Sequence, residues 1–371
     1  MKIAILGLGT IGGGVMDIIE KRGLPLTVIK IWDRVINSKY EALYAHSLEE
    51  ILEDPTIEVI VETMGGEAYA YKAIQEAMRH KKSVVTANKE VISRYGEELT
   101  ALKNEMGVEL AYEASVGGGI PIIRPLYHIK QTNNINRIEG ILNGTTNFIL
   151  TRMERKETFE EALLVAQQLG FAESNPTNDI EGLDALRKIA ILGMIATNQR
   201  LDYRTIPHAG MKHIKLDDIE YLKHRGYTVK MIATLDGLFA SVEPVAVENH
   251  HLLSQIKNEN NAIIVSTNYY QDLTFIGKGA GRYPTACAMI DDLLALQNHQ
   301  DSYSLKLDGS FVVEDRPHSY YCRMKRINGM PSHLIESQEG HQIITKPIFR
   351  NQLNQEDIYF YARIRKEDAN V

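Results

Sequence analysis

The chain is poor in cysteine, tryptophan and long apolar runs, and each shortage excludes a class of protein. Only two of its 371 residues are cysteine, Cys287 and Cys322. They lie far apart and without metal-type spacing, so neither a disulfide framework nor a zinc site is expected, and a reducing, cytoplasmic setting fits. No stretch approaches the roughly 20 apolar residues of a membrane span. The opening MKIAILGLG meets a glycine cluster before a signal-peptide core of usual length is complete. The net charge is −7 with Lys and Arg scattered, so no nucleic acid or anionic membrane surface is implied as a partner. Internal repeats and low-complexity tracts are also missing. What remains has the composition of a soluble globular protein, long enough for two or three domains at about 100–200 residues each.

Along the chain, apolar strands alternate with amphipathic helices up to about residue 128. Lys2 to Leu6, TVIKIWD, IEVIVET and SVVTAN read as strands, with AYAYKAIQEAMRH and EELTALKNEM as helices between and after them. That alternation predicts an α/β domain built on a doubly wound parallel sheet. From Asn136 the texture changes to runs of strands beside helices, which predicts an α+β second domain with a mainly antiparallel sheet over 129–300. The more polar residues 301–371 read as a small appended unit, and the last helix before them is expected to return to the first domain.

Gly7-Leu8-Gly9-Thr10-Ile11-Gly12 follows a strand and opens a helix, and Asp33 stands at the end of the next strand. This context makes the pattern a dinucleotide fingerprint. Gly7 permits the tight turn, Gly9 lets backbone approach a pyrophosphate, and Gly12 lets helix pack on strand, with the helix N-terminus supplying N–H donors. NAD or NADP is the implied cofactor. Asp33 would accept hydrogen bonds from a ribose 2′-OH and repel a 2′-phosphate, whereas Arg34 and Lys39 pull the other way. Trp32 either stacks on adenine or packs.

Four further stretches carry polar chemistry. VVTANKE ends a strand with Thr86, Asn88 and Lys89, where polar residues face the ligand crevice of such sheets; Lys89 there meets a substrate anion or the cofactor, or simply begins a helix in solvent. In YEASVGGGIPIIRP, Glu113 precedes three glycines, a string that forms either a plain turn or a cradle of oxygens for a hard cation. In ILNGTTNFIL, Asn143, Thr145, Thr146 and Asn147 interrupt an apolar segment and need partners or cap a helix. Finally, DIEGLDALRK crowds Asp179, Glu181 and Asp184 against Lys188, just before the uncharged IAILGMIA. Asp184 and Lys188 are four apart, and their face continues through Ile191, Leu192 and Ile195. The pair is therefore either a helix-end salt bridge worth about 0.2–0.5 kcal/mol or a lysine at the floor of a cleft.

Taken in order, GLGTIGGGV, VETMGG, VVTANKE, YEASVGGGIP, GILNGTTNFIL, LGFAESNPTNDIEGLDALRK and GKGAGRYPTA resemble homoserine dehydrogenases over about residues 1–295. The resemblance implies a Rossmann-type first domain that binds the cofactor, and a second domain that builds the substrate site and the dimer interface. It implies reversible NAD(P)-dependent reduction of L-aspartate 4-semialdehyde to L-homoserine, on the route to threonine, methionine and isoleucine, by a homodimer or homotetramer. By the same resemblance Lys188 would be the catalytic acid, Asp184 its neighbour holding substrate and lysine, Glu173 the acceptor for the substrate ammonium, and Asp179 a supporting group. Lys89 would lie between nicotinamide and substrate, where it would share proton transfer or bind the substrate carboxylate. Gly170 and Gly281 match positions that approach the cofactor. Glu113, with the carbonyls of Val116, Gly118 and Ile120, matches a structural site for Na+ or K+.

The sequence also departs from that pattern. Asn175 stands where an acidic residue is usual, and Trp32 where many relatives carry arginine. SYYCRMKRINGMPSHLIES resembles the start of an amino-acid-sensing ACT module, yet Ser332 replaces its turn glycine and too few residues follow for a full ACT fold. The tail is therefore expected to be a truncated, ACT-like remnant used in oligomer contacts. Two other readings stand beside the main one: a reductase of another small amino-acid aldehyde, and a catalytically impaired nucleotide-binding sensor or assembly subunit.

Overall fold

The computed structural model describes residues 1–300 and 302–365. The chain forms two compact units. The first comprises residues 1–135, 190–202 and 277–310, and the second comprises 136–189, 203–276 and 311–371.

The first unit is built on a five-stranded sheet of β1 (Lys2–Leu6), β2 (Thr27–Trp32), β3 (Val59–Glu62), β4 (Ser83–Thr86) and β5 (Leu110–Ala111), in the order β2-β1-β3-β4-β5. All pairings are parallel. Parallel strands are covered on both faces, which is why β3 and the last four residues of β1 are buried throughout and read as apolar runs, apart from Glu62 at the end of β3. Between them, the helix Ala68–Arg79 buries Ala70, Ala73, Ile74, Ala77 and Met78, the stripe that 3.6-residue spacing demands. The order reverses between β1 and β3, so the carboxyl ends of those two strands open the crevice where doubly wound sheets take ligands. The helix Arg282–Gln297 packs on the helix Thr10–Arg22. Gly14 makes that approach possible: a Cβ there would come within 2.9 Å of the Arg282 carbonyl oxygen and 3.0 Å of Ala286 Cβ.

The second unit carries a nine-stranded sheet of β6 (Ile135–Ile141), β7 (Tyr227–Asp236), β8 (Phe239–Glu248), β9 (Asn260–Thr267), β10 (Asp272–Lys278), β11 (Tyr320–Met324), β12 (Ile335–Glu339), β13 (Gln342–Thr345) and β14 (Ile358–Ile364). Their order is β10-β9-β6-β7-β8-β14-β11-β13-β12. The hairpin β7–β8 turns at Gly237, whose positive φ of 54° suits glycine, and keeps its register from Asp236↔Phe239 to Tyr227↔Glu248.

These two units divide the chain at other places than 128 and 300. Residues 190–202 and 277–310 belong with the first unit, and 311–371 with the second. The described residues of the tail form strands and short 3-10 turns without an α-helix, and Ser332 starts one of those turns. Alternate residues of β11, Tyr320, Cys322 and Met324, join Ile343 of β13 and Tyr361 of β14 in one apolar cluster. β14 lies parallel beside β8, and buried Arg363 holds it there by donating to Glu243 Oε1 at 2.9 Å and Thr234 Oγ1 at 3.0 Å.

Candidate active site

In the first unit the glycine loop follows β1. Gly7 has φ +94°, and a Cβ on it would press within 2.9 Å of the Thr63–Met64 backbone. The loop is pinned there: Gly7 N–H donates to the Trp32 carbonyl at 2.8 Å, and Thr63 Oγ1 donates to the Gly7 carbonyl at 2.5 Å. Gly12 packs so closely that a Cβ would lie 2.0 Å from the Gly7 oxygen. Gly9, in contrast, faces open space, and it precedes a 13-residue helix with no side-chain cap and no acidic residue in its first turn. Thr10 and Ile11 begin that helix, so its N–H groups are presented to a ligand, and these residues fit a dinucleotide pyrophosphate. Asp33 sits at the end of β2 and accepts from Leu8 N–H and, at 3.2 Å, from Val35 N–H. Arg34 is exposed, while Lys39 Nζ is held by Glu20 at 2.7 Å. Trp32 stacks on Tyr69 with ring centroids 5.4 Å apart.

At the ends of β3 and β4 a compact polar cluster sets the start of the helix Lys89–Met106. Glu62 is fully buried and accepts from Thr86 Oγ1 at 2.5 Å and Met64 N–H at 2.8 Å; burial pushes its carboxyl above the usual range. Thr86 in turn accepts from Asn88 N–H at 3.0 Å, and Asn88 caps the helix through Val91 N–H. Lys89, half-buried, is thereby fixed as the first helical residue. Gly281 has φ +122° and precedes the helix Arg282–Gln297, and Arg282 lies along the glycine helix, paired with Asp17 at 2.9 Å.

In the second unit Asp184 and Lys188 are 4 % and 6 % exposed, so theirs is no surface salt bridge. Lys188 Nζ lies 2.7 Å from Asp184 Oδ2 and donates to the Leu142 carbonyl, also at 2.7 Å. Asn143, buried just after β6, donates to Asp184 Oδ2 at 2.9 Å and Asp179 Oδ1 at 2.7 Å. Its own oxygen accepts from Thr146 N–H at 2.9 Å, capping the helix Gly144–Met153. A desolvated lysine held between a carboxylate and a carbonyl oxygen has the chemistry of a proton donor to a developing alkoxide.

The structure thus brings together Asp179, Asp184, Lys188 and Asn143. Glu173 is on an exposed loop that Gly170 opens with φ +75°. Thr145 donates to the Phe171 carbonyl of that loop at 2.5 Å. Glu113 is buried. Its carboxylate accepts from the N–H groups of Ile122, Ile123 and Arg124 at 2.6–2.8 Å and from Tyr303 Oη at 2.9 Å, so it caps the helix Ile123–Thr132 and its four lone-pair sites are taken. Val116 and Ile120 are buried, and Gly118, at φ +55°, meets the Gly279 backbone, where a Cβ would come within 2.6 Å. The sequence reading passed over the Leu142 carbonyl, which leaves no side-chain signal, and Glu62, whose signal was an acidic residue at the carboxyl end of a parallel strand.

Comparison with known proteins points the same way. Residues 121–294 match the homoserine dehydrogenase family and residues 7–113 match the homoserine dehydrogenase NAD binding domain. The chain is 39 % identical to the homoserine dehydrogenase of Bacillus subtilis over 317 residues, covering 81 % of this chain and 73 % of that one. It is likewise 39 % identical to that of Synechocystis over 315 residues, 79 % and 72 % of the two. Among solved structures, a homoserine dehydrogenase from Thiobacillus denitrificans superposes with TM-score 0.88 at 27 % identity, over 98 % of both chains. A hyperthermophilic archaeal homoserine dehydrogenase in complex with NADPH does so with TM-score 0.70 at 26 % identity, over 81 % of this chain and 98 % of that one. With its glycine loop, its buried lysine and relatives of this closeness, the chain belongs to the homoserine dehydrogenase family.

Proposed function

We propose that this chain carries out the family's reaction, the reversible NAD(P)-dependent reduction of L-aspartate 4-semialdehyde to L-homoserine, with Lys188 as the proton donor. The observation that carries this reading is the burial of Lys188 with its Nζ 2.7 Å from Asp184 and from the Leu142 carbonyl. When bound, the reduced nicotinamide supplies a hydride to the aldehyde carbon. The remaining work falls to the protein. Lys188 gives the oxygen its proton, and its positive charge opposes the negative charge that builds there as the hydride arrives. Asp184 keeps the lysine aimed. An amino-acid substrate also needs an anion for its ammonium and a cation for its carboxylate, supplied in this reading by Glu173 and Lys89.

Gly7, Gly9, Thr10, Ile11 and Gly12 would hold the pyrophosphate, with Asp33, Arg34, Thr86, Gly170 and Gly281 around the rest of the cofactor. Two features favour NAD over NADP: an Asp33 carboxylate at the end of β2 would repel a 2′-phosphate, and Lys39 is occupied by Glu20. A Na+ or K+ ion at this turn would be held by backbone carbonyl oxygens, those of Glu113, Val116, Gly118 and Ile120, because the Glu113 carboxylate is filled by protein donors. A homodimer or homotetramer in the cytoplasm is the assembly inferred, supported by β10, which ends the sheet and leaves Ile276, Tyr269 and Tyr270 exposed. Sedimentation velocity tests it.

The deciding assay follows absorbance at alkaline pH, where oxidation of L-homoserine is favoured because it releases a proton, with NAD and NADP in parallel. Robust formation of reduced cofactor, faster with NAD, supports the reading. Silence with both, while nucleotide still binds, would favour a changed substrate and turn attention to Asn175.

A further inference from the structure

We infer that Asn143 is a positioning residue for the proton-transfer lysine, separate from its service as a helix cap. This inference rests on the assignment of Lys188 made above. Asn143 is extended, with φ −130° and ψ 116°, and its Oδ1 accepts from Thr146 N–H at 2.9 Å. That bond settles which way the amide faces: its NH2 group points at the carboxylates. One hydrogen bond runs to Asp179 Oδ1 at 2.7 Å and the other to Asp184 Oδ2 at 2.9 Å. The second of these acceptors is the same oxygen that lies 2.7 Å from Lys188 Nζ. The preceding residue completes the grip, since the Leu142 carbonyl accepts from Nζ at 2.7 Å. Two consecutive residues therefore fix both ends of the Lys188–Asp184 pair, and one amide joins carboxylates from two different helices.

Capping alone does not explain this. Serine and aspartate cap a helix about as well as asparagine, but only asparagine offers an NH2 group to two carboxylates while its oxygen caps. Of the carboxylates linked to Lys188 here, Asp184 stands on its own helix and Asp179, joined through Asn143, on the short helix before it. Strand β6 and the helix after it bring the Leu142 carbonyl and the Asn143 amide. An aspartate at 143 would place one more negative charge in this group and stabilise the ammonium form of the lysine. Oxidation of homoserine needs the neutral amine as proton acceptor, so the rising limb of kcat/KM would move to higher pH.

The test compares the parent enzyme with Asn143→Ser and Asn143→Asp in homoserine oxidation from neutral to alkaline pH, with thermal midpoints and cofactor affinities measured on the same preparations. We expect both variants to bind cofactor normally and to melt below the parent but well above the assay temperature, since Asp179 and Asp184 lose their amide donors. Asn143→Ser should lose roughly ten- to a hundredfold in kcat/KM through misplacement of the pair. The rising limb of Asn143→Asp should move up by about one pH unit or more. Parental rates and an unshifted profile in both variants would reduce Asn143 to a cap and overturn the inference. A parent that leaves homoserine unoxidised would instead overturn the assignment on which it rests.

Discussion

The glycine loop offers a clean separation of folding from cofactor binding, because Gly9 and Gly12 are three residues apart yet face opposite demands. A side chain on Gly12 would place its first carbon 2.0 Å from the Gly7 oxygen and 2.8 Å from Thr63 Oγ1, whereas non-bonded carbons settle about 3.5–4.0 Å from their neighbours. The loop cannot yield easily, since Gly7 is bonded to Trp32 at 2.8 Å and to Thr63 at 2.5 Å. Gly12→Val should therefore cost about 3 kcal/mol or more through overpacking, against which the gain of a few tenths of a kcal/mol in helix propensity is minor. Gly9 meets no atom within 4 Å and occupies the cap position of an uncapped helix. Gly9→Ser should leave stability unchanged or raise it by a few tenths of a kcal/mol. It should also weaken NAD and NADP binding tenfold or more, about 1.4 kcal/mol, because the new hydroxyl takes the N–H groups that a phosphate would use. Urea unfolding and fluorescence titration with both nucleotides measure the two quantities. A Gly9→Ser protein that binds nucleotide like the parent, or a Gly12→Val protein that unfolds like it, would refute the reasoning.

Two further outcomes follow from buried charge. Burial lifts the Asp292 carboxyl to about 7, aided by the nearby Glu113 charge and opposed by hydrogen bonds from Glu113 N–H and Tyr303. Between pH 3.8 and 7 the unfolded chain has lost this proton while the folded one keeps it, so this group makes the protein less stable as pH rises, by about 1.4 kcal/mol per pH unit at most. Asp292→Asn lacks that slope, and its thermal midpoint relative to the parent should climb from pH 4 to 7; a constant difference would show that Asp292 is already ionised. In the second unit, Arg363→Ala should cost about 3 kcal/mol by leaving Glu243 to Arg350 alone, 3.4 Å away, and should lower the urea midpoint. An unchanged midpoint would mean that β14 contributes little to the fold.

Much of this arrangement was legible in the residues themselves. Parallel strands are apolar on both faces and the glycines fall at fixed places, so the first sheet and its loop could be read without coordinates. Lys188 was legible because it shares a helical stripe with Asp184 and with Ile191, Leu192 and Ile195, which sets it apart from surface ion pairs. Other features depend on distant chain. β14 pairs with β8, Arg363 opposite Val245, and no local pattern announces a partner so far upstream. Glu113 beside three glycines suggested a carboxylate among the ligands of a cation because nothing nearby shows that the amides of residues 122–124 fold back onto it. The Leu142 carbonyl was invisible for a simpler reason: every residue has one.

The account turns on Lys188 as the group that exchanges a proton with the substrate oxygen. The most direct measurement is homoserine oxidation by Lys188→Ala, with and without added methylamine or ethylamine, alongside its cofactor affinity. The account predicts a fall in kcat/KM on the order of 10²–10⁴-fold, unchanged cofactor binding, and partial recovery that saturates with the added amine. Turnover within a few-fold of the parent, without any amine, would contradict it.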